Sequence, residues 1–371
     1  MKLTINGDVK SFRSGDYNYD FNLSNGFFRR WGRTIEDDPT TSKYGPEIAD
    51  IEISAGESCP VSCPFCYKGN RKGDASKSTH MSLETFASVL AKFPQYDGHF
   101  FTTQIAFGIT SIGAHPQIFD IFRHCRKNNI IPNVTINGAD PLTDDQIKTL
   151  VELTGAMAIS INSSIKDKGY QLISKLLAAG ARQLNIHYVV SRQSIKFGYQ
   201  LCDDLKNNQL LAGVNAVVFL GLKPKNRGQA FDVLPTEDFT TLVNHALENG
   251  IRFGFDSCSA PRFERAVDLS TTITEATKTM LKSCSERCES GNFSSYLDSD
   301  GCYWHCSFGE GMEIANGIDV TKVNSFLDDV WHSEKLTTWR NRLAELNREC
   351  PLYAEIHIDP SKATGTFPNK I

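Results

Sequence analysis

Three cysteines, Cys59, Cys63 and Cys66, crowd into eight residues of "SAGESCPVSCPFCYKGN" (54–70) at C-x3-C-x2-C spacing. Five more, Cys284, Cys288, Cys302, Cys306 and Cys350, fall between residues 284 and 350, and the chain holds eleven in all. Thiolates are soft ligands that select zinc, copper(I) or iron–sulfur clusters. Disulfides account poorly for them: an odd count fits no complete framework, and a reducing cytosol keeps thiols free. Zinc asks for four ligands, usually from C-x2-C pairs distant in sequence. Here three are packed together without an adjacent fourth, and His80 stands at no recognised zinc spacing. An iron–sulfur cubane held by three thiolates leaves one iron without a protein ligand, open to a small molecule. A structural zinc site is the competing reading for both groups. Cys125 and Cys202 lie alone in helical patterns and read as buried, inert thiols.

The elements that must position these cysteines follow from periodicity. "LTINGDVKSF" reads as a hairpin with Asn6-Gly7 as a type I′ turn, and residues 13–48 read as irregular, so 1–48 are expected to be an N-terminal extension. From residue 49, apolar runs alternate with 3.6-period segments. Strands are expected at 49–55, 101–109, 131–138, 155–163, 182–191 and 213–222, with a possible seventh at 251–257. Near-continuous apolar strands separated by helices imply a parallel sheet with right-handed crossovers. The expected fold is α/β, a partial (β/α)6 barrel over 49–262, whose chemistry would sit at the C-terminal strand ends. Cys59, Cys63 and Cys66 directly follow the first strand, at that face. Beyond 262 the alternation stops. "SSYLD", a Ser299-Asp300-Gly301 turn and "CYWHCSF" make a hairpin, 320–346 are helical, and a loose tail ends a C-terminal unit of 263–371.

C-x3-C-x2-C with an aromatic, Phe65, before its last cysteine resembles the signature loop of the radical S-adenosylmethionine enzymes, and the resemblance covers roughly residues 49–260. It implies a [4Fe–4S] cluster on Cys59, Cys63 and Cys66 whose open iron chelates S-adenosylmethionine. The cluster would cleave that cofactor to a 5′-deoxyadenosyl radical, with electrons from an external donor such as a flavodoxin or ferredoxin. It also implies cofactor contacts by position: Gly108, Ile109 and Thr110 after the second strand, where the family often has Gly-Gly-Glu and this chain has no acid. Asn137, Ser160, Asn162, Ser191 and Arg192 stand at later strand ends, and His187 within the fifth strand either faces the interior or is a hydrogen-bonded core residue. The element C-x12-G-x4-C, from Cys288 through Gly301 to Cys306, resembles the SPASM and twitch subfamilies. That resemblance implies one auxiliary iron–sulfur cluster, with Cys284 and Cys350 completing its ligands and Cys302 left to the core. Cys258, in "FGFDSCSAP", belongs to neither pattern. It is read as a buried thiol, a hydrogen-atom donor to a substrate radical, or an extra ligand.

Composition narrows the class. A net charge of −4 argues against broad nucleic-acid binding. No run of about 18 apolar residues is present and the N-terminus lacks a signal-peptide core, so a cytoplasmic, membrane-free protein is expected. The family resemblance implies an oxidoreductase or isomerase that modifies a peptide or protein side chain. A small molecule or nucleotide is the alternative substrate, and a non-catalytic iron–sulfur carrier is the third reading.

Overall fold

The computed structural model describes residues 1–311 and 317–351. The loose tail expected after residue 351 lies outside them. Seven parallel strands form the centre: β5 (Ile48–Glu52), β6 (Gln104–Gly108), β7 (Ile131–Asn137), β8 (Ala156–Ser160), β9 (Gln183–Val190), β10 (Ala216–Gly221) and β11 (Phe253–Phe255). They lie side by side in chain order. Helices α1 (Leu83–Leu90), α2 (Ile118–Lys127), α3 (Asp144–Leu153), α4 (Lys166–Ala178), α5 (Ile195–Asn207) and α6 (Thr236–Glu248) fill the crossovers. After β11 the chain runs through α7 (Ala260–Leu269) and α8 (Glu275–Ser283). This is an α/β fold on a large, mostly parallel sheet, as the alternation predicts.

Burial alternates along the strands with period two. In β9, Leu184, Ile186, Tyr188 and Val190 are buried, whereas Gln183, Asn185, His187 and Val189 are only half-buried. Ile105 and Phe107 of β6, and Val134 and Ile136 of β7, join the same core as Phe122, Ile147, Ile173 and Leu201 from the helices. Crossovers of one hand between sequential neighbours all return over one face. The helices therefore bury one set of side chains and leave the alternate set to face a cavity. No helix among the described residues is long and apolar enough to cross a membrane.

Residues 1–48 are more ordered than the sequence reading expects. An antiparallel meander of β1 (Lys2–Asn6), β2 (Val9–Arg13), β3 (Asn18–Asn22) and β4 (Phe28–Trp31) replaces the lone hairpin. Gly7 and Asp8 are the turn residues, and of the two only Gly7 has positive φ, at +56°. That is the type II′ pattern, not the expected I′. The polar, aromatic composition concealed the last two strands, because Tyr17, Tyr19 and Phe21 pack on Phe12, Tyr44 and Phe101. The meander thereby covers the N-terminal end of the parallel sheet. Lys10 fastens it, with Nζ donating to the carbonyls of Thr102 at 2.7 Å and Asn129 at 3.3 Å.

At the other end of the chain, β12 (Ser294–Leu297) pairs in parallel with β5, aligning Tyr296 with Asp50. The hairpin continues through β13 (Cys302–Trp304) to β14 (Ile318–Asp319). Gly301 has φ +83° at the expected turn. Asp298 fixes the hairpin by accepting from the amides of Asp300 and Cys302 and from Trp304 Nε1.

Lys10 is fully buried, and burial pushes its pKa from 10.5 down to about 7. The unfolded chain therefore binds more protons between about pH 7 and pH 10, and stability rises with pH through that window. Lys10→Met should flatten this rise, which can reach about 1.4 kcal/mol per pH unit for one proton. Parallel pH dependence of the two thermal midpoints between pH 7 and 10 would refute the assignment.

Candidate active site

The sheet's open face and the loop after β5 enclose a cavity of about 550 Å³. Cys59, Cys63 and Cys66 all line it, together with Phe65. The strands contribute Asp50, Glu52, Ala106, Gly108, Thr135, Asn137, Ser160, His187, Val189 and Leu220. Asn137, Ser160 and His187 stand in one register line across β7, β8 and β9. A single hollow shared by residues of so many adjacent strands requires the sheet to curve around it.

The cysteine loop is held by backbone contacts rather than by regular structure. The Arg227 guanidinium donates to three of its carbonyls: Cys63 at 3.0 Å, Gly69 at 2.9 Å and Asn70 at 2.6 Å. Gly228 packs so closely that a Cβ there would come within 2.4 Å of the Lys223 carbonyl and 3.4 Å of that of Phe65. Asn137 Nδ2 lies 4.0 Å from Cys59 Sγ, and Asn162 Nδ2 lies 3.5 Å from Cys63 Sγ. Burial pushes the Cys63 thiol up to about 11, and Cys59 and Cys66, as charged neighbours, add to the rise. The three thiols thus face one another's fields, with amide donors behind two of them.

The expected cofactor contacts divide. Phe65, Gly108, Ile109, Thr110, Asn137 and Ser160 line the cavity. Thr110 Oγ1 is already engaged by Ser54 and Ser58 hydroxyls, each at 2.5 Å. Asn162 reaches the site through Cys63. Ser191 and Arg192 do not line it, because β9 ends at Val190 and the chain turns at once into α5. Ser191 Oγ bonds Ser194, and Arg192 is exposed. His187 is a cavity residue, 3.5 Å from Thr135 Oγ1, and burial holds its pKa down to about 4, so the ring is neutral.

Sequence reasoning missed the charges. Lys68, two residues after the last cysteine, pairs with Glu52 at 2.7 Å and with Glu310, and donates to Tyr296 Oη at 2.8 Å. Lys223 pairs with Asp256 at 2.7 Å. Burial alone would lower the Lys223 pKa, but Asp256 more than reverses that. Asp50 faces the cavity, open to its space and with no partner among the described residues, and the protein massed around the cavity wall raises its pKa to about 6. The signal was present in "ADIEIS": acids at alternate positions of an otherwise apolar strand share its cavity face.

In the second cysteine group, Cys288 and Cys350 are buried and Cys306 is half-buried, but Cys284 is exposed at the end of α8, a helix with no buried residue. Cys302 lies in β13 opposite Asp319, half-buried and with no thiol among its charged neighbours. Cys125 and Cys202 are fully buried in the helical core, as expected. Cys258 does not line the cavity. It follows β11 in a one-turn helix and packs against the small apolar group that holds Cys350.

Among solved structures, the chain is similar to SuiB from Streptococcus suis. SuiB bound to S-adenosylmethionine matches with a TM-score of 0.65 and 13% identity, covering 91% of this chain and 90% of that one. SuiB bound to precursor peptide SuiA matches with a TM-score of 0.62 at the same identity and coverage. SuiB alone matches at 0.60, with 13% identity, over 90% and 89% of the two chains. At this identity the likeness establishes the fold alone. No protein-family model and no curated protein matches the sequence.

Arg227→Ala should loosen the cysteine loop. Losing three charge-assisted bonds on a half-exposed side chain should lower the local opening free energy by about 1–3 kcal/mol, or speed exchange roughly 5- to 150-fold. Hydrogen–deuterium exchange of amides 63–70 measures this, with β6 amides as the internal control. Unchanged exchange at 63–70 would mean that the loop's other bonds hold it.

Proposed function

We propose that the chain is a radical S-adenosylmethionine enzyme built on an open (β/α)6-type barrel. Residues 1–48 are its N-terminal extension, 49–262 its catalytic core and 263–371 a twitch-like unit carrying one auxiliary cluster. The observation that carries this reading is the wall of three thiols, Cys59, Cys63 and Cys66, facing one cavity at the C-terminal strand ends. A mononuclear zinc would need donors gathered at about 2.3 Å from one point. No three His, Cys, Asp or Glu side chains are gathered in that way among the described residues. Three thiols lining one cavity offer the ligand set of a cubane cluster with one open iron. When bound there, the cluster and S-adenosylmethionine supply a 5′-deoxyadenosyl radical that takes a hydrogen atom from the substrate.

The chain's own residues orient and shield that chemistry. Asn137 and Asn162 direct amide N–H groups at two sulfurs, the kind of contact that tunes a cluster's potential. Gly108 presents bare backbone to the cavity, and Ile109 and Ser160 flank it as cofactor contacts. Phe65 and Phe231, whose rings meet edge to face at 6.1 Å, form an apolar wall behind the loop. Electrons would come from an external one-electron donor.

The preferred substrate is a peptide or protein side chain. The hollow is within the size range of ligand sites and leaves room for one side chain beside a cofactor, not for a folded domain. The fold is also that of SuiB, which was solved with a precursor peptide bound. Asp50 is the residue placed to meet a polar or cationic group of that side chain. A small molecule carrying such a group is the second reading.

Replacing Cys59, Cys63 and Cys66 together with Ala should abolish reductive formation of 5′-deoxyadenosine in the anaerobically reconstituted protein. Undiminished cleavage would sink the assignment. Asp50→Asn should behave differently. Cofactor cleavage should persist, whereas the substrate KM should rise roughly tenfold or more, as for loss of a charge-assisted bond. An unchanged KM would remove Asp50 from the substrate site.

A further inference from the structure

We propose that Cys258 is a ligand of the C-terminal metal centre, completing a four-thiolate set with Cys288, Cys306 and Cys350, and that Cys284 is not a ligand. The inference rests on the reading of that centre as an iron–sulfur cluster.

Four segments are sewn together at this place. The Cys288 amide donates to the Arg348 carbonyl at 3.1 Å, and Arg348 Nε returns a bond to the Cys288 carbonyl at 3.0 Å. This pair sets the segment ending in Cys350 beside Cys288. Ser290 Oγ donates to the His305 carbonyl, which brings Cys306 to the same strand of chain. Cys350 packs with Leu222 and Val233 in a small apolar group, and Cys258, Phe65 and Phe308 close around it. Asp256 fixes the fourth segment, accepting from the Gly221 amide at 3.1 Å and pairing with Lys223.

The charged neighbours say the same. Cys258 packs on the small apolar group that holds Cys350, and Cys350 has Cys258, Cys288 and Cys306 as charged neighbours. Cys258 and Cys306 are also among the charged neighbours of Cys288. Cys284 enters none of these relations, and it sits exposed on a solvent-facing helix. Cys258, Cys288, Cys306 and Cys350 are thus one another's charged neighbours, as ligands of a four-thiolate centre must be. Lys223, buried beside Cys258 and Cys350, supplies a positive charge where four thiolates around a cluster would leave a net negative one.

The test isolates this centre by starting from the Cys59/Cys63/Cys66→Ala protein. Anaerobic reconstitution should give about four irons per chain and a reduced-cluster electron paramagnetic resonance signal. Adding Cys284→Ala should change neither. Adding Cys258→Ala should lower bound iron at least twofold or convert the signal to that of a three-iron species. Cys258→Ser, which keeps size and a weaker donor, should retain iron with a shifted signal. Circular dichroism and a thermal melt check that each variant is folded. Loss of the cluster in Cys284→Ala with full retention in Cys258→Ala would overturn the proposal. One zinc per chain, lost with Cys258→Ala, would uphold the ligand set and overturn the iron–sulfur reading. Absence of any metal from the folded starting protein would overturn both.

Discussion

Crossovers of one hand between sequential parallel strands return over the same face of a sheet. Here that rule puts α1 to α6 on one side and leaves the alternate side chains of β5 to β11 without helices to bury them. A sheet face cannot be left to water over such a length without other cover, and this chain supplies it from outside the alternating pattern. The N-terminal meander covers the strand starts through aromatic packing and Lys10. The cysteine loop and the segment from Ser307 to Glu310 cover the strand ends, with Tyr67 and Phe308 in ring contact at 4.6 Å. What remains between is a cavity whose lining is set by strand alternation. Its polar residues are where they are because period two allows them nowhere else.

Charge placement in that cavity follows a second constraint. An ionised group enclosed by protein is costly unless paired. Lys68 meets this by contacting Glu52, Glu310 and Tyr296 at once, and Lys223 by contacting Asp256 and the Gly221 carbonyl. These pairs also act as clips. Lys68 belongs to the cysteine loop, Glu52 to β5, and Tyr296 and Glu310 to the C-terminal segment, so one ammonium ties three parts of the fold together. Lys225 adds to this by donating to the carbonyls of Phe308 and Glu310. Asp50 stands apart because no structural pairing uses it.

Much of this architecture is legible in the amino-acid sequence. The C-x3-C-x2-C spacing, its place after the first strand and the strand–helix alternation depend on local patterns, and local patterns survive folding. The seven strands appear where the apolar runs put them. What the sequence hides depends on contacts between distant segments. The last two strands of the meander are rich in Tyr, Asn and Arg, and they are strands because Phe101, far along the chain, gives their aromatic rings a surface. The pairing of Glu52 with Lys68 crosses a loop whose path no periodicity describes. Ser191 and Arg192 do follow a strand end, but one residue too late, where the backbone has already turned away. Cys284 groups with Cys288 in sequence because the two are close along the chain. Cys258 stands aside in sequence because two helices intervene, although the fold brings it back.

That return has a consequence for the sheet as a whole. The parallel strands begin at β5 and end at β11, and the chain closes no hydrogen-bonded ladder between those two among the described residues. On the β5 side the edge is taken by β12, whose partner β13 leads into Cys306. On the β11 side the next turn carries Cys258. The thiol group of Cys258, Cys288, Cys306 and Cys350 therefore lies across the gap between the first and last strands. An exposed parallel edge is a liability that proteins cover or close. A four-thiolate centre at this position would do by coordination what a ladder does by hydrogen bonds. It would join the end of the sheet to the C-terminal segment, and metal binding there would become part of the free energy of folding. The same apolar group that packs Cys350 and Cys258 also includes Phe65 from the first cysteine loop. The two cysteine groups thus share apolar packing, and whatever stiffens that packing also steadies the first cysteine loop.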